Sequence, residues 1–200
     1  MANRKTKDIK EAIMAVDNNG DNHQPAGRPD GGQYAPKAGQ GTDDDLATPS
    51  EVALLDAAAM LTGRREQARR DADATTGDDA WYTGKGRYLG YEYADAIVDA
   101  ARHADDIPEG TTLTDMAFDD EALAEYLEDM DSDSSPDDVR STAAHAAEGA
   151  ATPAERAERE LGIMEDFAIS RMRTTDDRDS LHRAMGFASA IIDARDTLRR

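Results

Sequence analysis

The chain has no cysteine, which excludes disulfides and thiolate metal sites. It has no run approaching about eighteen consecutive apolar residues, the length a membrane-spanning helix needs. Its start, MANRKTKDIK, lacks the apolar centre of a signal peptide. These absences make the cytoplasm the expected compartment and exclude a membrane partner. Large apolar side chains are scarce as well: Ile, Leu, Val and Phe number 8, 11, 4 and 3 in 200 residues. That is below the ~20% at which, with high net charge, a chain tends to stay disordered. Abundant alanine, eight methionines and clear helical periodicity point the other way. The balance predicts a helix-rich domain with a small core and one long unstructured segment.

Positive charge is the other shortage. The net charge is −20, and it is clustered. Residues 104–139 carry fourteen carboxylates and neither Lys nor Arg. Adaptation to high salt would spread acidity over the whole surface, so this pattern marks a local feature.

The segment 1–47 reads as a tail. Ile9, Ile13 and Val16 recur at helical spacing opposite Arg4, Lys5, Lys7 and Lys10, but a helix this short is marginal alone. Asp17 to Asp45 holds six glycines and three prolines with no Ile, Leu, Val or Phe. It buries too little to offset its ordering entropy, so disorder is expected. Within it, the stretch from His23 to Lys37, HQPAGRPDGGQYAPK, resembles a short motif in the N-terminal parts of phage and mobile-element proteins of GC-rich Gram-positive bacteria. The resemblance spans about fifteen residues and implies no activity.

From 48 to 200 the pattern is helical. Trp81 to Ala104 holds half of the ten aromatics within thirteen positions, and buried aromatics dominate core energetics. Thr48-Pro-Ser-Glu51 is a capping-box start, and Thr152-Pro-Ala-Glu155 repeats it. Gly63 ends or weakens the first helix. The aromatic segment is expected to become helical near Tyr88 and to stop at Pro108, and Thr111 to Phe118 to be extended or irregular. Asp119 or Asp120 caps a helix striped by Leu123, Tyr126, Leu127 and Met130. Ser135 caps the next, which closes at Gly149, and Thr174 or Thr175 opens the last. Short connections make these late helices antiparallel neighbours. The expected fold is all-α, a small multi-helix bundle after a disordered N-terminal segment.

No constellation carries a reaction. Gly84-Lys-Gly86 lacks the first glycine and the hydroxyl of a phosphate loop, so a flexible turn is the better reading. Asp129-x-Asp131-x-Asp133 begins like a calcium loop, but Ser134 and Arg140 stand where Gly and Glu are required. His23, His103, His145 and His182 are scattered. No catalytic residue, metal or cofactor is expected.

The acidic run is different in kind, because unpaired like charges repel and need a reason to be together. A solvated loop would be one. A surface for a basic protein partner would be another, with carboxylates in place of phosphates at that partner's nucleic-acid site. Its contacts would be Asp115, Asp119, Asp120, Glu121, Glu125, Glu128, Asp129, Asp131 and Asp133, with Tyr126 at the edge. Direct nucleic-acid binding is disfavoured by the charge. The sequence therefore reads first as a non-enzymatic interaction protein. Two alternatives stand beside it: an assembly component of a phage or mobile-element particle, and an enzyme with a site near 81–103.

Overall fold

A computed structural model describes residues 47–74, 79–104 and 110–200 of the chain. The basic arm, the Gly/Pro-rich stretch, the motif at 23–37 and the stop at Pro108 lie outside the described residues. The unit from Ala47 to Arg200 is all-α, with seven helices and no strand among the described residues. They are α1 (Pro49–Ala74), α2 (Asp79–Arg102), α3 (Leu113–Ala117), α4 (Asp120–Asp129), α5 (Pro136–Ala147), α6 (Pro153–Thr174) and α7 (Arg178–Leu198).

The helix starts follow from short polar side chains. Thr48 and Glu51 exchange bonds ahead of α1, the Glu51 amide donating to the Thr48 hydroxyl at 3.2 Å. Ser135 and Asp138 form the same box at α5, with Pro136 in the first turn. Thr152 caps α6 and Asp119 caps α4. The last helix departs from expectation: Thr174 ends α6, Thr175 follows it, and Asp177 caps α7 by accepting from the Ser180 amide at 2.8 Å. Thr112 and Asp115 make a further capping box, so the segment expected to be irregular contains α3.

Helix α2 is the centre of the bundle, in contact with α1, α3, α6 and α7. It begins at Asp79, not near Tyr88, and the Gly84–Gly86 pair lies inside it. Tertiary packing explains why. A Cβ added at Gly86 would collide with the Arg183 carbonyl of α7, and one at Gly186 would collide with the Thr83 carbonyl of α2. A Cβ at Gly90 would sit 2.8 Å from both the Ala190 side chain and the Phe187 carbonyl. At Gly84 it would sit 3.3 Å from the Ala72 backbone of α1. Each glycine lets another backbone into direct contact. The expected flexible turn is therefore a close helix crossing, in which packing overrides the poor helix propensity of glycine.

The contacts also fix direction. Thr83 meets Gly186, Gly90 meets Phe187 and Ala190, and Tyr91 meets Asp193, so α2 and α7 run parallel. Helix α1 is antiparallel to α2, joining Ala72 to Gly84 and Arg65 to Asp95. Helix α6 is antiparallel to α7, as its short connection predicts. Arg195 of α7 lies over Gly162 and bonds Glu158 at 2.6 Å and also Glu165.

The core forms around Tyr93, fully buried on α2. Its ring stacks on Phe118 at 4.8 Å and meets Tyr126 edge-on at 5.8 Å and Phe187 at 6.3 Å. Trp81 and Tyr82 sit half-buried near the start of α2, each with a cation over its ring, Lys85 and Arg183 respectively. Three segments distant in sequence thus meet on one residue of the aromatic stretch.

Two glycine substitutions of opposite sign test the crossing. Gly86→Ala is expected to destabilise by about 3 kcal/mol or more, at or beyond the upper end for core overpacking. Gly63→Ala, where nothing lies within 4 Å, is expected to stabilise dilute protein by about 0.5–1 kcal/mol. Urea denaturation of the two variants reads both.

Candidate partner-binding surface

The acidic segment lacks cations of its own, and later helices supply them. The Arg140 guanidinium, on α5, donates to Asp115 at 2.9 Å, to Asp120, and to the Phe118 carbonyl at 3.1 Å. Arg171 of α6 pairs with Asp131, and the Ser180 hydroxyl of α7 donates to the same carboxylate at 2.6 Å. Arg183 of α7 donates to the Asp129 carbonyl at 2.6 Å. These contacts hold the chain as it leaves α4, where Asp131 turns with φ of 54°. Aspartate tolerates this left-handed backbone better than most residues.

The tightest anchor is Glu160, 1% exposed on α6. It accepts hydrogen bonds from the Leu113 amide (3.0 Å), the Thr114 amide (2.9 Å) and the Thr114 hydroxyl (3.0 Å). Arg156, one turn earlier, donates to it at 3.2 Å and also holds the Thr111 carbonyl. Thr114 gives its hydrogen to Glu160, so the Tyr93 hydroxyl, 3.5 Å away, donates to Thr114. A buried carboxylate is tolerated only when its lone pairs are met in this way. Sequence reasoning missed Glu160, although a signal existed. It stands three residues after Ala157 and four before Met164, a charge on an otherwise apolar helical stripe.

The nine predicted contact residues divide in two. Asp115, Asp119, Asp120 and Asp131 serve the fold. Asp115 closes the box with Thr112, Asp119 accepts from the Ala122 amide at 2.8 Å, and the other two are ion-paired. Glu121, Glu125, Glu128, Asp129 and Asp133 have carboxylates with no partner among the described residues. Glu121, Glu125 and Glu128 follow i, i+4, i+7 spacing and are all exposed, opposite buried Leu123, Leu127 and Met130. Asp129 is half-buried at the end of α4 and Asp133 is exposed in the turn before α5. Tyr126 does not edge this surface. Its ring is in the aromatic core, and burial pushes its hydroxyl pKa upward, with Glu92 adding to the effect.

No protein-family model, curated protein or solved structure matches this chain.

Two other places bear on chemistry. Asp129, Asp131 and Asp133 do not form a cation loop, since the Asp131 carboxylate is turned to Arg171 and Ser180. Among the described residues no three His, Asp or Glu converge as metal ligands. At the start of α2, Thr83, His182 and Asp79 line an open groove of about 440 Å³. The Thr83 hydroxyl donates to the Asp79 carbonyl at 2.7 Å, while His182 stands 3.4 Å from it and 3.4 Å from the Asp79 carboxylate. A hydroxyl committed to its own helix, with the imidazole beyond normal hydrogen-bond length, lacks the geometry of an activated nucleophile.

The anchors make two demands on the chain. Glu160→Ala is expected to cost about 3–5 kcal/mol, because it strands two buried amides and Arg156; chemical denaturation measures this. The Ser180 hydroxyl first, and Arg171 with it, hold the Asp131 carboxyl below its ordinary value of 3.8. Cap hydrogen bonds lower Asp138 and Asp177 in the same direction. A depressed folded-state value stabilises above the unfolded pKa and is lost as pH falls through the folded one. Thermal melts should therefore show stability declining as pH drops below 3.8, and Asp131→Asn should flatten part of that decline.

Proposed function

We propose that this protein is a non-enzymatic interaction protein of the cytoplasm that presents the solvent face of α4 to a basic surface on another protein. The supporting observation is the arrangement of Glu121, Glu125 and Glu128. They share one side of a helix anchored from both ends, and no cation among the described residues neutralises them. Like charges one turn apart destabilise a helix by roughly 0.2–0.5 kcal/mol per pair. The fold gives the Asp residues it needs for its own assembly a hydrogen bond or a cation and leaves these three open. Asp129 and Asp133 extend the same charge toward α5. A rigid row of carboxylates suits a partner whose own ligand is a phosphate backbone, because such a site draws most of its affinity from charge. The resemblance at His23–Lys37 fits an accessory factor of a phage or mobile element, in which inhibition of a nucleic-acid-binding protein by mimicry is one form of this activity.

The test separates binding from stability. Glu121→Gln/Glu125→Gln/Glu128→Gln should melt no lower than the parent at low salt, since repulsion is relieved. Used as bait in the native host beside the parent protein, it should lose the basic proteins that the parent captures. Those captured by the parent should elute with added salt. Equal capture by both baits would remove the acidic face from consideration.

A further inference from the structure

Among the described residues, helix α1 leaves one side uncovered. Val52 is 46% and Leu55 50% exposed, and Ala59 and Gly63 continue the same line along the helix, both exposed. Leu55 also borders a groove of about 500 Å³ lined by Leu54, Ala101, Ala104 and Pro153. Gly63 weakens the middle of a 26-residue helix and gains nothing inside the monomer, since no atom lies within 4 Å of where its Cβ would stand. Four other helical glycines, Gly84, Gly86, Gly90 and Gly186, sit where another backbone arrives, while Gly162 faces the Arg195 side chain.

The charge on α1 identifies what arrives. The half before Thr62 carries Glu51 and Asp56 and no cation. The half after Leu61 carries Arg64, Arg65, Arg69 and Arg70 against three carboxylates, with Arg65 turned to Asp95 of α2 and Arg69 to Glu66 and Asp73 of its own helix. A helix with this polarity complements itself when reversed. We infer that α1 pairs antiparallel with α1 of a second copy of this chain, with the two-fold axis passing beside Gly63. Asp56 and Arg70 stand seven residues on either side of Gly63. The axis therefore brings Asp56, which has no ion-pair partner among the described residues, to Arg70 of the second copy. Arg70, 56% exposed, is held on its own helix by Glu66 and by Gln67 at 2.9 Å, and the pairing exchanges these surface contacts for Asp56. The symmetric contact is isologous and closes at two copies. Val52 and Leu55 flank it and lose their water contact. This pairing is independent of the acidic face of α4.

Sedimentation velocity on the full chain, from low-micromolar to millimolar concentration, is expected to show the mass rise from 21.6 kDa toward twice that value. Val52→Asp/Leu55→Asp should remain monomeric throughout, with a melting curve matching the parent's in dilute solution, since both side chains are already exposed. Asp56→Arg and Arg70→Asp should each weaken the dimer, and together restore it. The chain has no native cysteine, so register can be read directly. Gly63→Cys should cross-link under mild oxidation, because its two Cα atoms meet within disulfide reach of about 7 Å. Leu55→Cys, sixteen positions from its own copy in this register, should not. A single monomeric mass at every concentration overturns the inference, as does a dimer indifferent to the double Asp substitution, or equal cross-linking by the two cysteines.

Discussion

Contact between two helix backbones governs this fold. Gly86 of α2 admits the Arg183 carbonyl, and Gly186 of α7 admits the Thr83 carbonyl. Each helix supplies the glycine that the other requires. The crossing is closer than any pair of side chains permits, so dispersion between main-chain atoms replaces much of the burial that large aliphatic residues would give. A chain with few Ile, Leu, Val and Phe can then still close a core. One dense aromatic cluster around Tyr93 fills the space where the helices diverge.

The acidic segment is built on the opposite principle. It buries Leu113, Phe118, Leu123, Leu127 and Met130 in the core, but polar bonds from outside also fix its place. Glu160 and Arg156 hold its beginning, Arg140 its middle, and Arg171, Ser180 and Arg183 the end of α4. A carboxylate buried on α6 anchors the amides of a segment that is itself rich in carboxylates. The exposed glutamates are therefore carried on a frame rather than on a loop, which is what distinguishes a presented charge from a solvated one.

Much of the fold is legible in the sequence. Capping signals at Thr48, Asp119, Ser135 and Thr152 mark four helix starts, and apolar stripes mark the buried faces of α4, α6 and α7. What is not legible is what distant contacts decide. Glycine in Gly84-Lys-Gly86 reads as a turn because local propensity opposes helix, and only the arrival of α7 reverses that. Gly86-x-x-x-Gly90 and Gly186-x-x-x-Ala190 carry the spacing of a close crossing, but the two must be seen together to mean it. The Thr112–Asp115 box is present in the sequence, yet a helix of five residues depends on Glu160 to hold its amides. For the surface, the charge cluster was legible and its division was not. Which aspartates are consumed depends on arginines up to 40 residues away.

The parallel pairing of α2 with α7 has a consequence for biosynthesis. Tyr91 and Asp193 are bonded across 102 residues, so the ribosome releases α2 long before the helix that covers its glycines exists. Arg140 and Arg171 likewise emerge after the carboxylates they pair with, and Arg156 and Arg183 after the Thr111 and Asp129 carbonyls they hold. During translation the nascent chain exposes an aromatic helix and a strongly anionic tract together. The α2 face that carries Gly86 and Gly90 is covered only once α7 is made, and like charge opposes contact between neighbouring unfinished chains in the meantime.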